Sequence, residues 1–317
     1  MAKKITTIGG QALMEGIMMV GPQRTVAAFC SEEGQISTEE ISVPRLTKLY
    51  PILGKPFIRG IFSLIDSFRL GYKALSLSAD KLTGGEEEEE LSGFDKWLSD
   101  HLGEKITGVI MAIASVLGIA LAIALFFFLP TVLFNLLEAV APGEISGWRS
   151  IFEGVIRIGI FVGYVVLIGM VPDIKRTFQY HGAEHKTIFC YEKGLPLTVE
   201  NVRPQSRFHP RCGTSFLFVV VIISILVFSL VSLRVGLWDN PWVRVGLRLL
   251  LLPVVVSISY EINRWVGRHD NLCSRILSAP GKWLQRLTTN EPDDSMIECA
   301  IRALELVIPE QKGSDTW

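Results

Sequence analysis

Gly108 to Phe128 reads GVIMAIASVLGIALAIALFFF and contains no charged side chain. A helix rises 1.5 Å per residue, so ~20 apolar residues are enough to cross the ~30 Å hydrocarbon core of a bilayer. Within that core every backbone group must be satisfied inside its own segment, which leaves a helix as the only conformation for a single crossing. This stretch is therefore read as a transmembrane helix, about 108–128, that stops near Pro130. Three further runs have the same character, at about 151–171, 214–233 and 243–260. The last is the least uniform, because Arg244 and Arg248 lie in its first turns, where long side chains can snorkel toward a helix end.

The composition agrees. The chain has 317 residues, 49% of them hydrophobic, and a mean hydropathy of +0.37. These values and four long apolar runs exclude an ordinary soluble domain. The net charge of −1 carries no direct nucleic-acid signal. Met1-Ala2-Lys3-Lys4 leads into a mixed segment with Glu15, so no signal peptide is expected. Cys30, Cys190, Cys212, Cys273 and Cys299 are odd in number and irregularly spaced, unlike a secreted disulfide framework.

Charge sets the expected orientation. The stretch 135–150 carries Glu138, Glu144 and Arg149, whereas 172–213 carries Lys175, Arg176, Lys186, Lys193, Arg203, Arg207 and Arg211. The tail after Asn263 opens with Arg264, Arg268, Arg275, Lys282 and Arg286. Positive charge beside span ends marks the cytoplasmic side, so both termini and the 172–213 loop are expected inside. Arg234, Arg244 and Arg248 count mildly against this orientation.

The fold class that follows is an α-helical polytopic membrane protein with four spans and a small cytoplasmic α+β N-terminal portion. Residues 1–82 form that portion, 83–93 an acidic linker, 94–263 the membrane domain with its 172–213 loop, and 264–317 a helical cytoplasmic tail. Thr25–Cys30 and Ile36–Val43 flank a glycine-bearing turn and read as a hairpin. After Pro56 a helical pattern puts Phe57, Ile61, Leu64, Ile65, Phe68, Tyr72, Leu75 and Ala79 on one face. Arg59, Asp66, Arg69 and Lys73 take the other. Such a helix either lies in the membrane interface or packs on the protein's own core. Gly9-Gly10-Gln11-Ala12-Leu13-Met14-Glu15-Gly16 lacks a phosphate-loop lysine and indicates only tight backbone turns. Glu153 and Arg157, four residues apart in the second run, can pair and can meet Arg244 and Arg248 as a structural ion cluster. With few other charges in the spans, a transporter is the least favoured class.

The chemistry concentrates after the second span. From Asp173 to Glu192 the chain has neither proline nor turn cluster, and Gly194 supplies a stop, so a helix is expected. On it His181, Glu184 and His185 share one stripe. Histidines at i and i+4 can hold one divalent ion with the intervening glutamate beside it, and His-x-x-Glu-His is the inverted zincin order. His209 and Cys212 follow in the turn-like Phe208-His209-Pro210-Arg211-Cys212-Gly213, which brings three of the five histidines within 29 residues. The expected ligands are His181, His185, His209 and Cys212, and zinc suits a nitrogen-plus-thiolate set, with iron or another borderline metal as the alternative. Glu192 and Glu261 stand in reserve. Four ligands would close the site and make it structural. Three would leave a position open, with Glu184 as catalytic base.

These segments together resemble the YqhQ family of bacterial membrane proteins. The resemblance rests on Gly9-Gly10-Gln11-Ala12 with Met14-Glu15-Gly16, His181-Gly182-Ala183-Glu184-His185-Lys186 with Tyr191-Glu192, and His209-Pro210-Arg211-Cys212-Gly213-Thr214. It continues through Tyr260-Glu261, Leu284-Gln285-Arg286-Leu287-Thr288-Thr289 and Glu291-Pro292-Asp293-Asp294. Val20 stands where the family pattern leads one to expect arginine. The resemblance implies a multi-pass bacterial inner-membrane protein of unassigned reaction, regarded as a metal-dependent enzyme on the same histidines. It also hints at neighbours in translation termination and the ribosome. Two functional expectations result: a metal-dependent membrane hydrolase working at the cytoplasmic surface, or a non-catalytic membrane factor with a structural metal site. The second would bind a protein partner on its cytoplasmic face, of the translation or secretion machinery. Substrate and oligomeric state are not legible.

Overall fold

The computed structural model describes residues 5–31, 34–83, 106–140, 148–232, 241–269, 271–311 and 313–316. Most of the acidic linker, together with Glu144 and Arg234, lies outside them. The chain divides into two compact units. One comprises Met1–Asp80, Val162–Ser224 and Leu251–Trp317, and the other Lys81–Phe161 and Ile225–Leu250.

The first unit is built on a four-stranded antiparallel meander, β1 (Gly9–Leu13), β2 (Gly16–Val20), β3 (Thr25–Cys30) and β4 (Ile36–Glu40). The expected hairpin is the β3–β4 pair, in register from Val26 opposite Glu40 to Cys30 opposite Ile36. The glycine-punctuated segment before it proves to be a second hairpin, with Leu13 opposite Gly16. Its turn holds Glu15 at φ +50°, in the left-handed region that side-chain-bearing residues visit rarely.

Strand residues alternate faces, and the two central strands, β2 and β3, are covered on both. Ile17, Met19 and Ala28 point to one side, where they pack with Tyr180, Ala183, Ile188, Met296, Ala300 and Leu304. Those partners come from α6 (Pro172–Glu192) and α11 (Asp294–Val307). Leu13, Met18, Ala27 and Phe29 point to the other, against Ala74, Leu70 and Leu77 of α2 (Arg59–Thr83). Coverage on both faces explains why β2 reads Gly-Ile-Met-Met without polar alternation.

Helix α2 meets the sheet with a face of its own. Ala74 and Ser78 are fully buried and Asp66 nearly so, its carboxylate accepting from the backbone N–H of Leu46 at 2.9 Å. Leu46 opens the short α1 (Leu46–Leu49). The sequence-derived stripe instead lies largely in the open: Phe68 is 69% exposed, and Ile65, Tyr72 and Leu75 are exposed as well.

Four stretches, Ala112–Val140, Ile151–Ile168, Gly213–Val231 and Trp242–Arg268, are long and apolar enough to cross a membrane. The first continues past the expected stop. Helix α3 (Ile106–Ile123) passes through a π-helical turn at Ala124–Phe128 into α4 (Leu129–Val140), which starts beside Pro130. The wider turn accommodates a proline that would break a regular helix. The others belong to α5 (Arg149–Ile168), α8 (Gly213–Ser232) and α9 (Pro241–Arg268, with Pro253 inside). In the second unit Glu153 is fully buried among Arg149 at 3.1 Å, Arg244 at 3.6 Å and Arg248. Arg157 is spent on the carbonyl of Phe126 at 2.8 Å rather than on Glu153. Two further helices of the first unit are the one-turn α7 (Val199–Val202) and α10 (Leu272–Thr288), which opens on a capping box at Asn271 and Ser274.

Candidate metal centre

Helix α6 carries the expected stripe, and its ends follow from its sequence. Pro172 occupies the first turn, where its missing N–H costs nothing. Gly194, at φ +68°, closes the other end, with its N–H on the carbonyl of Tyr191 and that of Leu195 on Cys190. Between them Glu184 and His185 are buried, and the His181 and His185 ring centroids lie 4.4 Å apart.

Each of these histidines has one ring nitrogen tied down. His181 Nδ1 lies 2.8 Å from the carbonyl of Thr288, the last residue of α10, and His185 Nδ1 lies 2.5 Å from the carbonyl of Arg207. A carbonyl only accepts, so each Nδ1 carries a proton and each Nε2 is the nitrogen left to face the cluster. The third member is Cys212, whose Sγ is 3.1 Å from His181 Nε2 and 3.2 Å from Thr214 Oγ1. One ligand atom from each of His181, His185 and Cys212 lies within 4.8 Å of the other two. Zinc–ligand bonds of about 2.0–2.3 Å set the edges of a zinc tetrahedron at about 3.5 Å, so the three groups fit one ion after a small contraction.

Electrostatics at the cluster favour a cation. Burial alone would push the Cys212 thiol up, but His181 and His185 hold it well below its ordinary value. Burial would likewise depress His181, yet the Cys212 thiolate raises it to about 9. Thiolate and imidazolium thus form a buried ion pair whose proton a divalent ion would displace. Burial raises Glu184, against the pull of His185 and His181.

His209, the fourth expected ligand, has its ring centroid 5.5 Å from that of His185 but is not among the three ligand atoms that meet. Its ring faces Glu192 at 3.6 Å and Arg211 at 3.3 Å, and burial lowers it to about 4 despite Glu192. Its backbone is clamped by Gln285, which accepts from the N–H and donates to the carbonyl, both at 2.7 Å. The reserve ligands are engaged elsewhere. Glu192 binds Arg211 and the N–H of Thr6, and Glu261 binds Arg59 Nε at 2.7 Å.

Several contributors carried no chemical signal in the sequence. Gly10 on β1 sends its N–H to Glu184, and a Cβ there would sit 2.9 Å from Glu184 Cδ and 2.8 Å from the carbonyl of Met18. Gly182 lies so close to the 288–292 segment that a Cβ would fall 2.1 Å from the carbonyl of Asn290. That approach lets Thr288 reach His181. Glu15 grips Arg176 through both oxygens at 2.5 and 2.6 Å, joining the β1–β2 turn to α6. Glu291 meets Lys186 at 2.6 Å, and Asp293 caps α11 by accepting from Met296 N–H at 2.9 Å. The cluster opens on a cavity of about 870 Å³ lined by β1, α2, α6 and the start of α8.

The family model described as "Protein of unknown function (DUF1385)" matches residues 55–310. The uncharacterized protein YqhQ of Bacillus subtilis (strain 168) is 35% identical over 304 residues, covering 93% of this chain and 90% of that protein. No solved structure matches.

Proposed function

The chain belongs to the DUF1385 family of unknown function, and from that premise we propose that it is a metal-dependent membrane hydrolase, with His181, His185 and Cys212 as ligands and Glu184 as base. One observation carries the reading. Both histidines give their Nδ1 proton to a backbone carbonyl, His181 Nε2 lies 3.1 Å from Cys212 Sγ, and His185 also reaches that thiolate. Outer hydrogen bonds of that kind orient metal-binding imidazoles and fix their tautomer. When bound, a divalent ion such as zinc would supply Lewis acidity to a substrate carbonyl or phosphoryl oxygen.

The remaining work falls to the chain. Glu184, held by Gly10 N–H and with its carboxyl raised by burial, takes a proton from attacking water and returns it to the leaving group. His209 supports the reading by standing with Glu192, because three protein ligands keep a coordination position open. A structural site closed by His209 would require that pair to separate. The bilayer as surroundings is supported by the four apolar stretches and by exposed Ile113, Val116, Leu117 and Ile119 along the first.

A second reading has one observation in its favour. The Cys212 thiolate beside His181 is also the pairing of a cysteine nucleophile with its base. It leaves the equally oriented His185 without a task. Turnover of a mixed panel of ester, amide and phosphoester substrates by purified protein tests the hydrolase. Glu184→Gln should keep its metal and lose at least about a hundredfold in rate, the ordinary worth of a general base. Equal rates would contradict the role of Glu184.

A further inference from the structure

The cavity that holds the three ligands has two unlike ends. At one, His181, Glu184, His185, His209, Arg211 and Cys212 converge. The rest of the wall is mainly apolar: Leu64, Phe68, Tyr72 and Leu75 of α2 face Phe216 and Leu217 of α8. These are the side chains of the α2 stripe that the sheet leaves uncovered, and Leu217 is 47% exposed. Cys212 directly precedes Gly213, the first residue of a stretch apolar enough to cross a membrane. A polar reacting end is thus followed by an apolar trough lying along the beginning of that stretch.

We propose that the substrate is a membrane lipid, bound with its acyl chain between α2 and α8 and its ester or amide carbonyl at the His181–His185–Cys212 cluster; this rests on the hydrolase reading above. The volume, about 870 Å³, is at the upper end of the ~300–1,000 Å³ of ligand sites, enough for a long apolar ligand. The wall chemistry separates a lipid from a peptide. Buried peptide groups need partners throughout their length, and unpaired ones are costly. Leu64, Phe68, Leu75, Phe216 and Leu217 offer none, and Gln11, Ser67, Tyr72 and Thr177 are too few to pair a peptide backbone along its whole length. On the edge strand β1 the N–H of Gly10 is already taken by Glu184. An acyl chain needs no partners and gains ~0.8 kcal/mol per buried CH₂. The reaction balances as hydrolysis. Water oxygen bonds to the acyl carbon and the acyl–oxygen or acyl–nitrogen bond breaks. The proton taken by Glu184 leaves on the alcohol or amine, and the fatty acid is the other product.

The test is photolabelling of the full chain in nanodiscs with a phosphatidylglycerol that carries a diazirine beside the ester of one acyl chain. A lipid seated in the cavity labels peptides containing Gly9–Ala12 and Thr177–Ile188, which lipid outside the cavity does not reach. Phe68→Glu and Tyr72→Glu alter exposed side chains, so folding is preserved. Each should cut that labelling about tenfold with metal content unchanged. Label confined to the apolar helices overturns the proposal. So does displacement of the label by an extended apolar peptide but not by excess unlabelled lipid, which would mark a peptide site. Metal analysis of the same samples keeps the two claims apart: cavity labelling without metal would sink the hydrolase and leave the lipid site standing.

Discussion

At the scale of single residues, Gly10, Gly182 and Gln285 decide the geometry of the candidate centre. Gly10 has no room for a methyl group between Glu184 and the Met18 carbonyl. Gly10→Ala should therefore force the carboxylate aside and cost about 1–3 kcal/mol, the usual range for overpacking. The expected outcome is a lower thermal midpoint and lower turnover with metal retained. Loss of metal would instead assign Glu184 to the ligands. Gln285→Leu strips both partners from the His209 backbone, at about 1–3 kcal/mol for each buried group left unpaired. Thermal unfolding should show the loss, and an unchanged midpoint would mean that the 208–213 turn is held by other contacts. That His181, His185 and Cys212 would meet was legible because few residue types can share one ion, whereas His209, expected with them, faces Glu192 instead. Gly10, Gln285 and the carbonyls of Thr288 and Arg207 were not legible, because a backbone group has no signature and its role depends on packing between distant segments.

At the scale of elements, α6 was readable from the lack of proline and turn residues over 173–192 and from the stop at Gly194, and the β3–β4 hairpin from its glycine-bearing turn. The β1–β2 hairpin was hidden because β2 is buried on both faces, which removes the alternation that marks a half-exposed strand, and β1 opens on two glycines. Helix α2 teaches a different lesson. Its strongest apolar periodicity marks the exposed face, while Ala74 and Ser78 pack on the sheet because small side chains allow close approach. Charging the two faces separates the roles. Ala74→Asp should unfold the first unit, since it buries a carboxylate without a partner. Phe68→Asp should leave the fold intact and weaken retention of lipid during purification. Equal tolerance at both positions would mean that α2 does not depend on the sheet. The first apolar helix outran its sequence boundary because the π turn before Pro130 absorbs the break that proline normally causes.

At the scale of the whole molecule, four apolar stretches are long enough to cross a membrane, and from the skewed distribution of basic residues we propose one topology, with both termini and the 172–213 segment on the cytoplasmic side. Single cysteines at Glu144 and at Lys193, in a background where Cys273 is serine, test it in intact cells. An impermeant thiol reagent should modify the first and spare the second, and the reverse pattern would invert the orientation. On this account the bilayer presents the substrate and the sheet-based unit holds the reacting groups. All of that depends on whether His181, His185 and Cys212 bind an ion, and the most direct test is elemental analysis of protein purified without chelators. The account predicts about one divalent ion per chain in the wild type, zinc foremost, and almost none in His185→Ala, which removes one of three ligands. Folded wild-type protein without stoichiometric metal would contradict it.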